Sequence, residues 1–266
     1  MMPPTAQQQA LIDTAHHMAD AARAAILPHF RTALSAENKQ ADGFDPVTVA
    51  DRAAERAMRD VLARMRPQDA ILGEEYGAQP GESGLTWVLD PIDGTRGFIS
   101  GTPTWGVLIA LSDADGPCLG VIDQPYIGER FLGGFGLAQV DGPQGRHSLR
   151  TRATDALADA TIFTTFPEVG SAEEGAAFAR VARQCRLTRY GMDCYAYALL
   201  AAGQVDLVIE AGLNPYDIQA PIAVIEAAGG IVTDWTGGPA HAGGRALAAA
   251  NPQIHAAALA ALAGWA

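Results

Sequence analysis

Lysine is almost missing from this sequence: Lys39 stands alone, and every other basic side chain is an arginine. Positive charge is scarce altogether, with 18 Lys and Arg against 30 Asp and Glu, for a formal net charge of -12. A surface of that sign repels nucleic-acid backbones and anionic membranes, so neither is expected as a partner. It also repels an anionic substrate unless cations share the site, which favours a metal if the substrate is a phosphate. Cysteine is scarce too. Cys118, Cys185 and Cys194 are odd in number, far apart and without metal-ligand spacing. They read as reduced thiols, and the chain as cytoplasmic. No apolar run reaches the roughly 18 residues that span a bilayer. Met1 to Gln9 lacks the charged region and apolar core of a signal peptide. No Ser-His-Asp arrangement stands out. Gly133-Gly134-Phe135-Gly136 is a poor nucleotide loop and reads as a hairpin turn.

What is present is an ordinary globular balance, 48% hydrophobic and 18% charged. The 266 residues suit one large domain or two closely joined halves. Helical spacing runs from Gln7 to Phe30 (Leu11, Ala15, Met18, Ala22, Ile26) and again from Asp51 to Met65, with Asp51 near the start as an acidic cap. Strands are expected at Ala70 to Gly73, Thr86 to Leu89, Gly106 to Leu111, Leu119 to Asp123 and Arg130 to Gly133, several of them hairpin-linked. Asp141 to Gly145 is the candidate boundary, giving residues 1–145 and 146–266 as halves of one compact unit. Beyond it come a strand at Ala160 to Thr165, helices at Ala172 to Cys185 and Cys194 to Ala202, and a strand at Val205 to Ile209. A helix at Ile218 to Ala228 and a strand at Ile231 to Thr233 complete the pattern. The chain is thus α/β (mixed α+β), with mixed sheets layered with helices.

Acids gather where strands end. The string Asp90-Pro91-Ile92-Asp93-Gly94-Thr95 follows an apolar strand, at the end where ligands bind in such sheets. Asp90 and Asp93 can share a hard cation, with the Ile92 carbonyl as a further oxygen ligand. Gly94 and Thr95 offer backbone N–H groups to a phosphate if a helix begins there; the bland alternative is an Asp-Gly turn. Glu74 and Glu75 also follow a strand. Being adjacent, they point to opposite faces, so only one can face a shared site. Asp217 opens a helix, and one of its oxygens can cap while the other binds metal.

Taken in order, Asp45-Pro46-Val47-Thr48-Val49-Ala50-Asp51, Gly73-Glu74-Glu75, Asp90 to Thr95, and Asn214-Pro215-Tyr216-Asp217 before Glu226 to Gly230 resemble the inositol monophosphatase family over nearly the whole chain. The resemblance implies a layered α-β-α-β-α fold, a site fed by both halves, and a homodimer. It implies two to three magnesium ions: Glu74, Asp90 and the Ile92 carbonyl on the first, Asp90, Asp93 and Asp217 on the second, and a weaker third touching Glu74. Gly94 and Thr95 would hold the phosphate. Glu74 and the Thr95–Asp51 pair would orient the attacking water. Lys39 would lie on a loop closing over the site, or be a plain surface residue.

Arg96-Gly97-Phe98-Ile99-Ser100-Gly101 and Tyr190 to Tyr197 look most like the histidinol-phosphate phosphatase branch, although Gly97 stands where that branch has serine. Histidinol phosphate carries an amine and an imidazole, which Asp193, Glu210 and Asn214 could receive; Arg96 lies on the substrate side as well. The bland readings are a helix cap for Asp193 and a solvated strand end for Glu210. An inositol, sugar or nucleotide phosphatase is the alternative, and a non-catalytic metal-binding regulator a further one.

Overall fold

The computed structural model describes residues 4–32, 37–38 and 46–263. Lys39 and Asp45 lie outside the described residues. In chain order come α1 (Ala6–Ile26), the antiparallel pair β1 (Glu37–Asn38) and β2 (Pro46–Val47), and α2 (Val49–Met65). Next are β3 (Ala70–Gly73), β4 (Gly77–Gln79), β5 (Thr86–Asp93) and a short helix, α3 (Thr95–Ile99). A meander follows: β6 (Gly106–Ser112), β7 (Pro117–Gln124), β8 (Glu129–Gly134), β9 (Leu137–Gly142) and β10 (Gly145–Ser148). The remainder is β11 (Thr161–Thr164), α4 (Ala172–Ala182), β12 (Leu187–Tyr190), α5 (Tyr195–Ala201), β13 (Leu207–Leu213), α6 (Pro215–Ala227), β14 (Ile231–Thr233), β15 (Gly244–Ala249) and α7 (Pro252–Leu262).

An eight-stranded sheet runs β10-β9-β8-β7-β6-β5-β3-β4 and a five-stranded sheet runs β12-β11-β13-β15-β14. Both are mixed: β3 lies parallel to β5, and β11 lies parallel to β12 and β13, while the other pairs are antiparallel. Side-chain alternation divides the large sheet between two cores. Trp87, Leu89, Val107 and Ile109 pack under α1 and α2 with Leu11, Met18, Met58 and Leu62. Val88, Leu108, Ala110 and Ile122 face the other way, onto α5 and α6, which also cover one face of the small sheet through Val208 and Ala248. Leu207, Ile209 and Leu247 look outward, onto Phe178 of α4 and Ile254 and Ala258 of α7. The result is the expected α-β-α-β-α layering. A central helix sandwiched between sheets has little polar face, and Ile218 to Ile225 of α6 are all buried.

Differences from expectation are local. Asp51 is not the cap of α2: Thr48 is, with Asp51 three residues on completing a capping box. α6 begins at Pro215, so Asp217 sits in its first turn with Asn214 as cap. β13 runs past Ile209 to Leu213, which puts Glu210 inside a strand at 7% exposure rather than at a solvated end. Asp141 to Gly145 forms the β9–β10 hairpin, and the large sheet continues to Ser148. The hairpin turn expected at Gly133 to Gly136 falls at Gly134 to Leu137, with Gly133 inside β8.

Candidate active site

The parallel pairing of β3 and β5 (Ala70 opposite Thr86, Gly73 opposite Leu89) brings their C-terminal ends side by side. Glu74, one residue beyond β3, therefore arrives next to Asp90. The Glu74 amide still donates to the Leu89 carbonyl at 3.1 Å. Glu55, fully buried on α2, fixes the turn that follows: its carboxylate accepts from the amides of Glu75 at 2.7 Å and Tyr76 at 3.2 Å. Glu74 faces the cavity. Glu75 turns toward Arg52, 3.9 Å away.

The small sheet supplies the opposite wall. β11 and β13 are parallel, so Thr165, just past β11, meets Glu210 of β13. One Glu210 oxygen accepts from the Thr165 amide at 2.7 Å and its hydroxyl at 2.8 Å; the other accepts from Thr164 at 3.1 Å. Between the sheets lies a cavity of about 290 Å³. Glu74, Asp90, Ile92, Asp93, Gly94, Thr95, Arg96, Asp193, Glu210, Asn214 and Asp217 all line it, drawn from both 1–145 and 146–266.

Ligand oxygens of Asp90, Asp93 and Asp217 lie within 4.8 Å of one another. Each carboxylate is tied at one oxygen. Asp90 accepts from the Ile92 amide at 3.0 Å, Asp93 from the Cys194 amide at 2.6 Å, and Asp217 from the Asn214 amide at 2.6 Å. Burial raises the Asp90 carboxyl well above its usual range, and the charges of Glu74, Asp93 and Asp217 add to that. Burial, then Asp217, does the same to Asp93. Carboxylates so placed need protons or a cation, and an all-oxygen donor set suits a hard divalent ion.

Asp51 does not line the cavity but reaches it through Thr95. The Thr95 hydroxyl lies 3.4 Å from Asp51 Oδ1 and 3.1 Å from the Ile92 carbonyl oxygen. The other Asp51 oxygen is held by the Thr48 amide and hydroxyl at 2.8 and 2.6 Å. Arg96 stacks its guanidinium over Phe166, 4.8 Å from the ring centre. Asp193 is not the cap of α5, a position that Cys194 takes. It has φ +47° and accepts from the Thr104 hydroxyl at 3.0 Å.

Thr165, Phe166, Cys194, Tyr197 and Tyr216 also line the cavity. In the sequence alone the first four carry no direct signal for a site. Thr165 was findable as the residue that leaves a strand end, as Glu74 does. Tyr197 carried only its place in a tyrosine-rich string. Burial raises the Tyr197 phenol well above its usual range, with Glu210 the next contributor.

Layered mixed sheets meet at a carboxylate cluster that could hold a cation, with Asp90 buried and Asp93 and Asp217 half-buried. Residues 7–264 match the inositol monophosphatase family, and the chain belongs to it. It is similar to the bifunctional phosphatase IMPL2, chloroplastic, of Arabidopsis thaliana, 46% identical over 223 residues. That match covers 83% of this chain and 63% of the Arabidopsis protein, less than two thirds of its length. A histidinol-phosphatase of Streptomyces coelicolor is 35% identical over 249 residues, 91% of this chain and 92% of that one. Among solved structures, an inositol monophosphatase from Zymomonas mobilis has a TM-score of 0.86 at 40% identity, covering 97% of this chain and 99% of that one. Among the described residues no helix is long and apolar enough to cross a membrane.

Proposed function

We propose that this protein is a magnesium-dependent phosphomonoesterase that prefers L-histidinol phosphate. The observation that carries the preference is a pair of further acids, the half-buried Asp193 and the buried Glu210, lining the cavity in addition to the carboxylate cluster. A polyol offers only hydroxyls, whereas an amine and an imidazole match two carboxylates with charge-assisted hydrogen bonds. The Streptomyces relative's name supports the same reading. The Zymomonas structure, described as an inositol monophosphatase, favours inositol phosphate as the second reading.

Glu74, Asp90 and the Ile92 carbonyl would hold one magnesium, and Asp90, Asp93 and Asp217 another. When bound, magnesium lowers the pKa of water and neutralises charge on the phosphoryl group. The residues of the chain do the rest. Gly94 and Thr95 bind phosphate oxygens through their amides, and Arg96 guards the mouth. The Thr95 hydroxyl holds the attacking water and relays its proton towards Asp51 Oδ1, and Glu74 orients the same water. The water oxygen forms the new P–O bond, the ester P–O bond breaks with its electron pair on the leaving oxygen, and solvent protonates the alcohol. Asn214 and the two acids orient the organic end. A homodimer in the cytoplasm completes the proposal. Light scattering tests the dimer.

The test is phosphate release from histidinol phosphate and inositol 1-phosphate side by side, with magnesium and with a chelator. The expected result is metal-dependent release that strongly favours histidinol phosphate. Preference for inositol phosphate, or equal weak turnover, would overturn the role given to Asp193 and Glu210. No metal-dependent release from either ester would point to a non-catalytic metal-binding protein.

A further inference from the structure

Asp193 reaches the cavity in a backbone conformation that side chains rarely adopt, with φ +47°. Such a residue stays there only where its surroundings over-determine it. What fixes it comes from the other half of the chain. The Thr104 hydroxyl donates to Asp193 Oδ2 at 3.0 Å. Thr102 donates to the Gly97 carbonyl at 3.1 Å and lies 3.2 Å from the Thr104 oxygen. With the Thr102 proton on that carbonyl, the Thr104 proton has two acceptors, the Thr102 oxygen and the nearer Asp193 carboxylate, and the ionised carboxylate is the stronger of the two.

The floor beneath this contact is made of glycine. A Cβ at position 97 would lie 2.9 Å from Asp193 Oδ2, 2.9 Å from the Thr104 hydroxyl and 3.1 Å from that of Thr102. A Cβ at position 94 would lie 2.6 Å from the Asp193 carboxyl carbon. Gly94 needs its freedom of backbone as well, having φ +84°, but Gly97 is not among the positive-φ glycines and sits inside α3. Backbone conformation therefore does not call for glycine at 97; space does. The missing side chain leaves a slot in which two threonine hydroxyls and one carboxylate converge.

We propose that Thr104, seated in the slot left by Gly97, is a positioning residue for substrate selection: it aims the Asp193 carboxylate at the cationic end of the ester. This rests on the reading of Asp193 as a substrate acid given above. Thr104 does not line the cavity; it acts through Asp193.

The experiment measures kcat and KM on histidinol phosphate and on glycerol 2-phosphate, which carries no cation. Thr104→Val keeps the shape and removes the donor. It raises KM for histidinol phosphate about tenfold, the scale of one hydrogen bond to a charged group, with the ratio of kcat/KM between the two esters falling by the same factor. Thr104→Ser keeps the hydroxyl and keeps the ratio within about twofold of the parent. Gly97→Ala intrudes on the slot from the opposite side, lowers the same ratio without removing a hydroxyl, and reads the slot even if Thr104→Val fails to fold. Combining the two gives less than the product of their separate effects, because both act on one carboxylate. A Thr104→Val enzyme that loses both esters equally, or neither, overturns the inference. Asp193→Asn separates the two levels. If it leaves the ratio where it was, the substrate role of Asp193 fails; if it collapses the ratio while Thr104→Val does not, only the role of Thr104 fails.

Discussion

Two kinds of buried acid share one cavity, and their surroundings give them different work. Glu210 accepts three hydrogen bonds from Thr164 and Thr165, yet burial outweighs them and pushes its carboxyl up to about 7. Its attraction for a cation therefore develops as pH rises through that value. The selectivity for histidinol phosphate over glycerol 2-phosphate should climb from about pH 6 to about pH 8, and Glu210→Gln should flatten the climb. Initial rates at low substrate check this: taking the ratio cancels titration of the phosphate, and comparison with Glu210→Gln removes that of the substrate imidazole, which loses its charge over the same range. Asp90 works differently, since it touches both proposed cation positions. Asp90→Asn should cost more than about a hundredfold in magnesium-dependent phosphate release, beyond what removing a supporting group costs. A variant that kept most of its activity would overturn the site. Both kinds of acid were visible in the sequence, though not equally. Asp90 to Thr95 declared itself through a compact string at a strand end. Glu210 had two readings, and only its burial inside β13 separates them. Thr104, Glu55 and Thr165 were not legible, because a threonine or a lone glutamate carries no signal until the sheet order brings it to a partner.

At the level of elements, each capping box both starts a helix and holds a carboxylate. Thr48–Asp51 and Asn214–Asp217 thereby fix two of the acids proposed for the site. Glycine sets how closely α6 approaches the large sheet. A Cβ on Gly133 of β8 would fall 2.6 Å from the Ala223 carbonyl oxygen, and one on Gly120 of β7 would meet Ala220 and Ala223. Gly133→Ala should therefore destabilise the fold by about 1–3 kcal/mol. Gly175 in α4 is the opposite case: a Cβ there meets only the Val169 carbonyl oxygen, at an ordinary 3.7 Å. Gly175→Ala should stabilise by about 0.5–1 kcal/mol, since only the flexibility of glycine is lost. Thermal melts of both variants should shift in opposite directions, by about 2–4 °C per kcal/mol. Some elements could not be assigned from local pattern. Gly244–Ala249 and Pro252–Leu262 are both rich in alanine, yet one is a strand and the other a helix. β15 is a strand because β13 and β14 take both its edges. α7 is a helix because Asn251 caps it, accepting from the amides of Gln253 and Ile254 at 3.0 and 3.1 Å, with Pro252 in its first turn.

For the whole molecule, the site is a joint between sheets. Asp90, Asp93 and Glu74 come from the large sheet, Glu210 from the small one, and Asp217 from the helix between them. The Cys194 amide reaches across to Asp93. Anything that relieves repulsion among these acids therefore ties the layers together. Without a cation, burial and then neighbouring carboxylates raise Asp90 and Asp93 above their ordinary range. The folded protein then holds more protons than the unfolded chain from about pH 4 upward, the ordinary aspartate value. The stability these protons contribute is present below that window and is lost as pH rises through the raised values. A divalent ion takes over where the protons leave, and by binding only the folded state it raises the melting temperature. The gain in melting temperature from magnesium over chelator should thus be small near about pH 5 and larger near about pH 8. Asp90→Asn should shrink the gain at the higher pH, and should make the chelated protein more stable there than its parent, because one buried like charge is gone. Melts at both pH values, with and without magnesium, decide the matter. An equal gain at the two pH values, or a full gain in Asp90→Asn, would mean that the acids joining the layers are not where the cation binds.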